Sequence, residues 1–269
     1  MAGSDEQNTL LRSAAPAVDD VSVSLTEAGL LTKRTAEVAA LYARYRNWSE
    51  VKRHWHDNRV HERGSRSSAQ KIFRIIKRRL LAGASVLPPV TRLAELVDEC
   101  PTEQAKAQLF YFYLIQEDNL FRFVLHELLR RQGVDRAEWD VSPKIVREVL
   151  SSFRYDNGSE IEYADSTLHR WAQGFRSVLR DIGVLKRPYD DKGTTPTIDF
   201  PPLHLGALYS WRTKGRAWPS HPIGWMYLFQ PQSAKNVLLD RVRASDRWSV
   251  SQLRGQAVLT PVGTQNQVK

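Results

Sequence analysis

Cysteine is almost missing from this chain: Cys100 is the only one in 269 residues. One thiol can build neither a disulfide framework nor a thiolate metal cage, so a reducing cytoplasm is the expected compartment. Long apolar runs are missing as well. The longest, LFYFYLI (Leu109 to Ile115), falls far short of the roughly 20 residues that cross a bilayer as a helix. The amino-terminal MAGSDEQNTLLRSAAPAVDD lacks a charged start followed by an apolar core. No membrane partner is expected.

Catalytic signatures are also lacking. There is no glycine-rich phosphate loop, nucleophile elbow or cysteine–histidine arrangement. His54, His56 and His61 do not form the i, i+4 pair that a helical zinc site favours. Glu160 and Glu162, with Asp165 nearby, could share a strand face as in a metal-dependent nuclease. No lysine stands close to them in sequence, and helix capping accounts for Asp165. The expectation is a protein without enzymatic activity, metal or cofactor.

One more absence is local: from Arg63 to Val90 there is no Asp or Glu. The chain carries 39 Lys and Arg against 30 Asp and Glu, a formal charge of +9. Twelve of those cations and only three acids fall between Ala43 and Arg79, which leaves the rest of the chain neutral. A field so localised attracts polyanions, which puts nucleic acid ahead of an acidic membrane surface or an acidic protein as partner.

Apolar spacing predicts an all-α fold: two helix-turn-helix-like units around a central buried helix, with a small β-hairpin wing near 184–200. Residues 1–20, small and polar, read as a disordered leader. In 21–100, a basic three-helix unit, Val38, Leu41, Tyr42 and Tyr45 mark the first helix. Asn47 ends it, and Ser49 caps a second running to about Glu62 with Val51 and Trp55 inward. After a turn at Gly64, Ser67 with Gln70 forms a capping box for the third.

Residues 101–202 form the second, winged-helix-like unit. Leu93 to Glu99 reads as a brief helix before it, and Thr102 to about Arg131 as the buried centre, broken near Glu117 to Asn119. A helix opens at Ser142-Pro143, and another runs from Asp165 to a left-handed cap at Gly183. The hairpin is expected around Asp190 to Gly193. Residues 203–269 form an extension that holds four of the eight tryptophans, with helices near Pro222 to Phe229 and Ser233 to Ala244.

Two helix faces are candidates for binding. On SRSSAQKIFRIIKRRLL (Ser65 to Leu81), Ala69, Ile72, Phe73, Ile76 and Leu80 share one side and only Ile75 is out of place. Lys71, Arg74 and Arg78 align on the other, flanked by Arg66, Lys77 and Arg79. Such a ridge can straddle phosphates, with first-turn N–H groups at Ser67 and Ser68 meeting a phosphate oxygen. On the Asp165 helix, His169, Gln173, Arg176 and Arg180 form a polar stripe opposite Trp171 and Phe175, with Lys186 and Arg187 on the wing. Either stripe is also what an ordinary solvated helix displays. The missing acids favour binding for the first.

In that order of helices the chain resembles the BrxA family of BREX phage-defence systems. The resemblance rests on AGLLTKRTAEVAALYARYRNWSEVKRHWHDN (Ala28 to Asn58), SSAQKIFRIIKRRL (Ser67 to Leu80), AQLFYFYLIQEDNLFRFVLHELL and DSTLHRWAQGFRSVLRDIGVL, spanning about Ala28 to Leu185. It implies an all-helical, NusB-like protein that binds double-stranded DNA, has no enzyme activity of its own and acts beside a methyltransferase and an ATPase. It points to Lys71, Arg74, Lys77, Arg78, Arg176 and Arg180 as binding residues. DNRVHERG and the tryptophan-rich tail depart from the family pattern. An adaptor that docks partners through the tail, or an RNA-binding protein by analogy to NusB, are the other functions to be separated.

Overall fold

A computed structural model of the chain describes residues 21–262, except 22, 27, 58–64, 84, 134, 215–222 and 254–255. The expected leader, the continuation of the second helix to Glu62, the Gly64 turn, His61 and Trp218 lie outside the described residues.

Helices dominate. α1 is Thr32–Tyr45, α2 Trp48–Asp57, α3 Arg66–Ala82, α4 Val90–Asp98, α5 Glu103–Glu117 and α6 Asn119–Gln132. Strand β1 (Glu138–Asp140) is followed by α7 Pro143–Ser151, α8 Asp165–Asp181 and strand β2 (Lys192–Thr194). Then come α9 Phe200–Lys214, α10 Ile223–Tyr227, α11 Lys235–Arg243 and the strands β3 (Trp248–Leu253) and β4 (Gln256–Pro261).

Short polar side chains set the helix starts. Arg46 closes α1 in a left-handed turn (φ 54°), and Asn47 Oδ1 then accepts from the Ser49 backbone N–H at 2.8 Å, opening α2. Asn47, not Ser49, is therefore the cap. Ser65 Oγ accepts from Ser68 N–H at 3.3 Å, so α3 starts two residues before the expected capping box. Thr102 caps α5, and Ser142, ahead of Pro143, caps α7. Asp165 is the first residue inside α8 rather than its cap, which is Ala164.

α5 is the axis. Residues Ala107 to Ile115 are buried without interruption, and α1, α3, α4, α6, α8 and α9 all pack on it. A helix apolar on every side needs neighbours on every side. It ends where Asp118 turns extended (φ −102°, ψ 100°) and caps α6 by accepting from Phe121 N–H at 2.9 Å. One apolar core runs from Val21 to Leu259, through both expected helical units and the extension.

Two small antiparallel pairs complete the fold. β2 lies within 184–200, where the wing is expected, but it pairs with β1: Trp139 sits opposite Gly193. No local hairpin forms because Trp139, fully buried, offers a strand edge on the core while Asp190 and Asp191 stay in a turn outside it. β3 and β4 form a hairpin that the sequence did not announce. α9 was not anticipated either, because its first turn reads Phe-Pro-Pro; prolines are compatible with the first turn of a helix.

Candidate nucleic-acid interface

α3 divides its side chains between core and solvent. Ala69, Ile72, Phe73, Ile76 and Leu80 are buried as their spacing requires, and Ile75 is buried with them. Arg66, Ser67, Gln70, Lys71, Arg74 and Arg78 are exposed, with Ser68 half-buried beside the cap. Lys77 is half-buried, its ammonium 5.4 Å from the ring centre of Trp48, which stacks on Tyr42.

The last turn of α3 is anchored. Arg79, on the core side, donates to the carbonyls of Gly29 (2.5 Å) and Ala28 (2.9 Å) and lies 3.7 Å from the Glu117 carboxylate. Burial pushes its pKa below the usual guanidinium value, with Glu117 opposing the shift. Arg78 Nε reaches the same carboxylate at 2.5 Å while half its side chain stays in water. Beside them Asp118, fully enclosed, is pushed up to about 7 by burial, against the pull of the Phe121 N–H. The ridge is therefore solvent-exposed cation at its start and an anchored ion cluster at its end.

α8 presents His169 and Gln173 to solvent, 3.0 Å apart, as one hydrogen-bonded pair. Arg176 turns inward: its Nη2 donates to the carbonyls of Asp190 (2.7 Å) and Pro188 (3.3 Å) and stands 3.6 Å from Asp191, leaving only 11% of the side chain exposed. It holds the loop 186–191 rather than facing a partner. Arg180 donates to Ser177 Oγ at 2.9 Å and is half-buried. The Arg187 backbone N–H donates to Asp190 Oδ2 at 2.8 Å, closing the loop on itself.

That closed loop displays Lys186, Arg187 and Tyr189, whose side chain is 89% exposed. Tyr189 was missed by sequence reasoning. Its signal was an aromatic ring set beside two cations in a proline turn, KRPYDD.

α3 and α8 meet through α5 and through the segment that precedes α1. Arg79 grips that segment at residues 28 and 29, and Gly174 of α8 lies so close to Leu25 that a Cβ would fall 2.6 Å from its carbonyl oxygen. Glu160 pairs with Arg154 at 2.6 Å. Among the described tryptophans of the tail, Trp225 and Trp248 are buried and Trp211 is half-buried, so these three serve the core. No described helix is long and apolar enough to cross a membrane.

The family model BrxA matches residues 21–199, about two thirds of the chain, and takes in α1 to α8 with β1 and β2. Comparison with curated proteins and with solved structures gave no match. A match of that extent covers the cationic helix, the central helix and the α8 loop together, and on it the chain belongs to the BrxA family, proteins associated with BREX phage defence.

Proposed function

We propose that this chain is a non-enzymatic accessory protein of BREX defence that holds duplex DNA on the outer side of α3 and on the 186–191 loop. The carrying observation is the one-sidedness of α3. Arg66, Lys71 and Arg74 stand exposed opposite a buried apolar side, on a helix that contains no carboxylate. A stabilising surface helix intersperses acids at i, i+4 spacing. This one keeps a positive potential that phosphates neutralise with release of counterions.

Roles follow from geometry. Arg66, Lys71 and Arg74 contact phosphates, with Ser67 and Ser68 contributing first-turn N–H groups. Arg78, tied to Glu117, contributes field, and Lys77 is shared with Trp48. Lys186 and Arg187 reach a neighbouring stretch of backbone, and Tyr189 enters a groove or stacks on an exposed base. His169, Gln173 and Arg180 line the surface between. The order α1, α2, α3 then acts as a helix-turn-helix-like unit, beside a methyltransferase and an ATPase of the same system.

Competition of labelled duplex DNA against equal lengths of single strand and of structured RNA tests the reading. Duplex DNA is expected to compete best. A preference for RNA would replace this reading with a NusB-like one.

A further inference from the structure

The extension beyond residue 199 builds a cleft against α4, and four of the residues lining it, Arg92, His204, Arg212 and Arg247, carry side-chain donors. Its volume is about 470 Å³, within the range of small-molecule sites. Three guanidinium groups line it from three elements: Arg92 of α4, Arg212 of α9, and Arg247 just before β3. Asp246 is the single carboxylate among the described lining residues.

Each donor is held from behind. Arg212 donates to the Leu87 carbonyl at 3.0 Å, and Arg92 pairs with Glu95 one turn along its own helix. Arg247 binds Glu99 through Nη2 at 2.5 Å and lies 5.8 Å from the Phe200 ring centre, while its Nη1 is buried without a hydrogen-bond partner. A buried N–H without an acceptor is costly.

His204 adds a donor whose orientation is forced. The indole N–H of Trp248 can only donate, and it sits 2.9 Å from His204 Nδ1, so the neutral ring carries its proton on Nε2. Burial, with Arg247 and Arg92 nearby, lowers the His204 pKa to about 4, which keeps the ring neutral at physiological pH. Pro88 and Pro89 line the cleft where α4 begins, and no side chain caps that helix. The remaining wall is apolar, from Leu96, Leu208 and Pro261.

We infer that this cleft is a binding site for a phosphomonoester on a small apolar body. Three guanidinium groups line the cleft from separate elements; Arg92 and Arg247 each give a nitrogen, to Glu95 and Glu99 respectively, and with Arg212 they still carry more N–H donors than the two oxygens of one further carboxylate can absorb. They match a dianion with three terminal oxygens. The apolar wall takes the ester's organic part. None of the lining residues belongs to α3 or to the 186–191 loop, and the inference commits to a free small molecule as the occupant.

Calorimetric titration of the full chain with phenyl phosphate, inorganic phosphate and phenol tests this. Phenyl phosphate is expected to bind at least about tenfold more tightly than inorganic phosphate, and phenol not at all. Arg92→Gln, at a surface pair whose loss the fold tolerates, and Arg247→Gln should each weaken phenyl phosphate about tenfold or more. The variant Lys71→Glu with Arg74→Glu should leave that affinity unchanged, and Arg92→Gln should leave duplex affinity unchanged. Absence of phenyl phosphate binding at millimolar concentration overturns the inference. So does binding that Arg92→Gln ignores and the α3 variant abolishes, since the ester would then sit on the α3 surface.

Discussion

Arg79 and its neighbours show how one turn of α3 is fixed while the rest stays open to solvent. Its guanidinium closes two backbone carbonyls of the segment before α1 and balances Glu117 at the break between α5 and α6. Removing one member of such a buried set leaves the others uncompensated. Arg79→Leu is expected to cost about 3 kcal/mol of stability in urea denaturation.

Asp118 gives a second test at the same place, because its enclosed carboxyl titrates at about 7 against an ordinary 3.8. The folded chain holds that proton longer than the unfolded one. Its contribution is thus most favourable below about pH 4 and is lost as pH rises to about 7. Asp118→Asn keeps the oxygen that caps α6 and removes the titration. The variant's melting temperature relative to the parent should rise between pH 4 and 7 and level off above. A pH-independent difference would refute this.

Among the elements, the 186–191 loop leans on one side chain in particular. Arg176 holds two of its carbonyls and neighbours Asp191. Arg176→Ala should speed amide hydrogen exchange across residues 186–191 and weaken duplex binding several-fold, although the Arg176 side chain is only 11% exposed. α9 and α10 cross so tightly that a Cβ on Gly224 would lie 1.9 Å from the Gly206 carbonyl oxygen. Backbone on both sides leaves nothing to move aside, so Gly224→Ala is expected to cost about 1–3 kcal/mol, measurable by thermal unfolding.

The elements that sequence made legible are those with local signals. Ser142-Pro143, the Gly183 cap and the all-round apolar α5 each declare themselves within a few residues. What stayed hidden depends on distant partners. β2 finds β1 some fifty residues earlier, and Arg79 is buried where the segment before α1 and the end of α5 meet it. For the interface, the cation stripe of α3 could be read from spacing. That Arg176 would turn inward could not, since its carbonyl partners lie in a loop whose path no periodicity specifies.

For the molecule as a whole, charge is laid out in two places with different chemistry: an open cationic ridge within the family-matched part, and a donor-lined cleft that the extension adds. The central claim concerns the ridge. Arg66, Lys71, Arg74, Lys186 and Arg187 are five exposed cations. Binding of duplex DNA should then fall with a log–log salt slope of about −4.5, a loss of roughly 500-fold for a fourfold rise in salt. The decisive measurement is that salt titration on the parent and on the variant Arg66→Glu, Lys71→Glu, Arg74→Glu. The account predicts the steep slope for the parent and near-complete loss of affinity in a still helical variant. A salt-independent affinity, or a variant that binds as tightly as the parent, would contradict it.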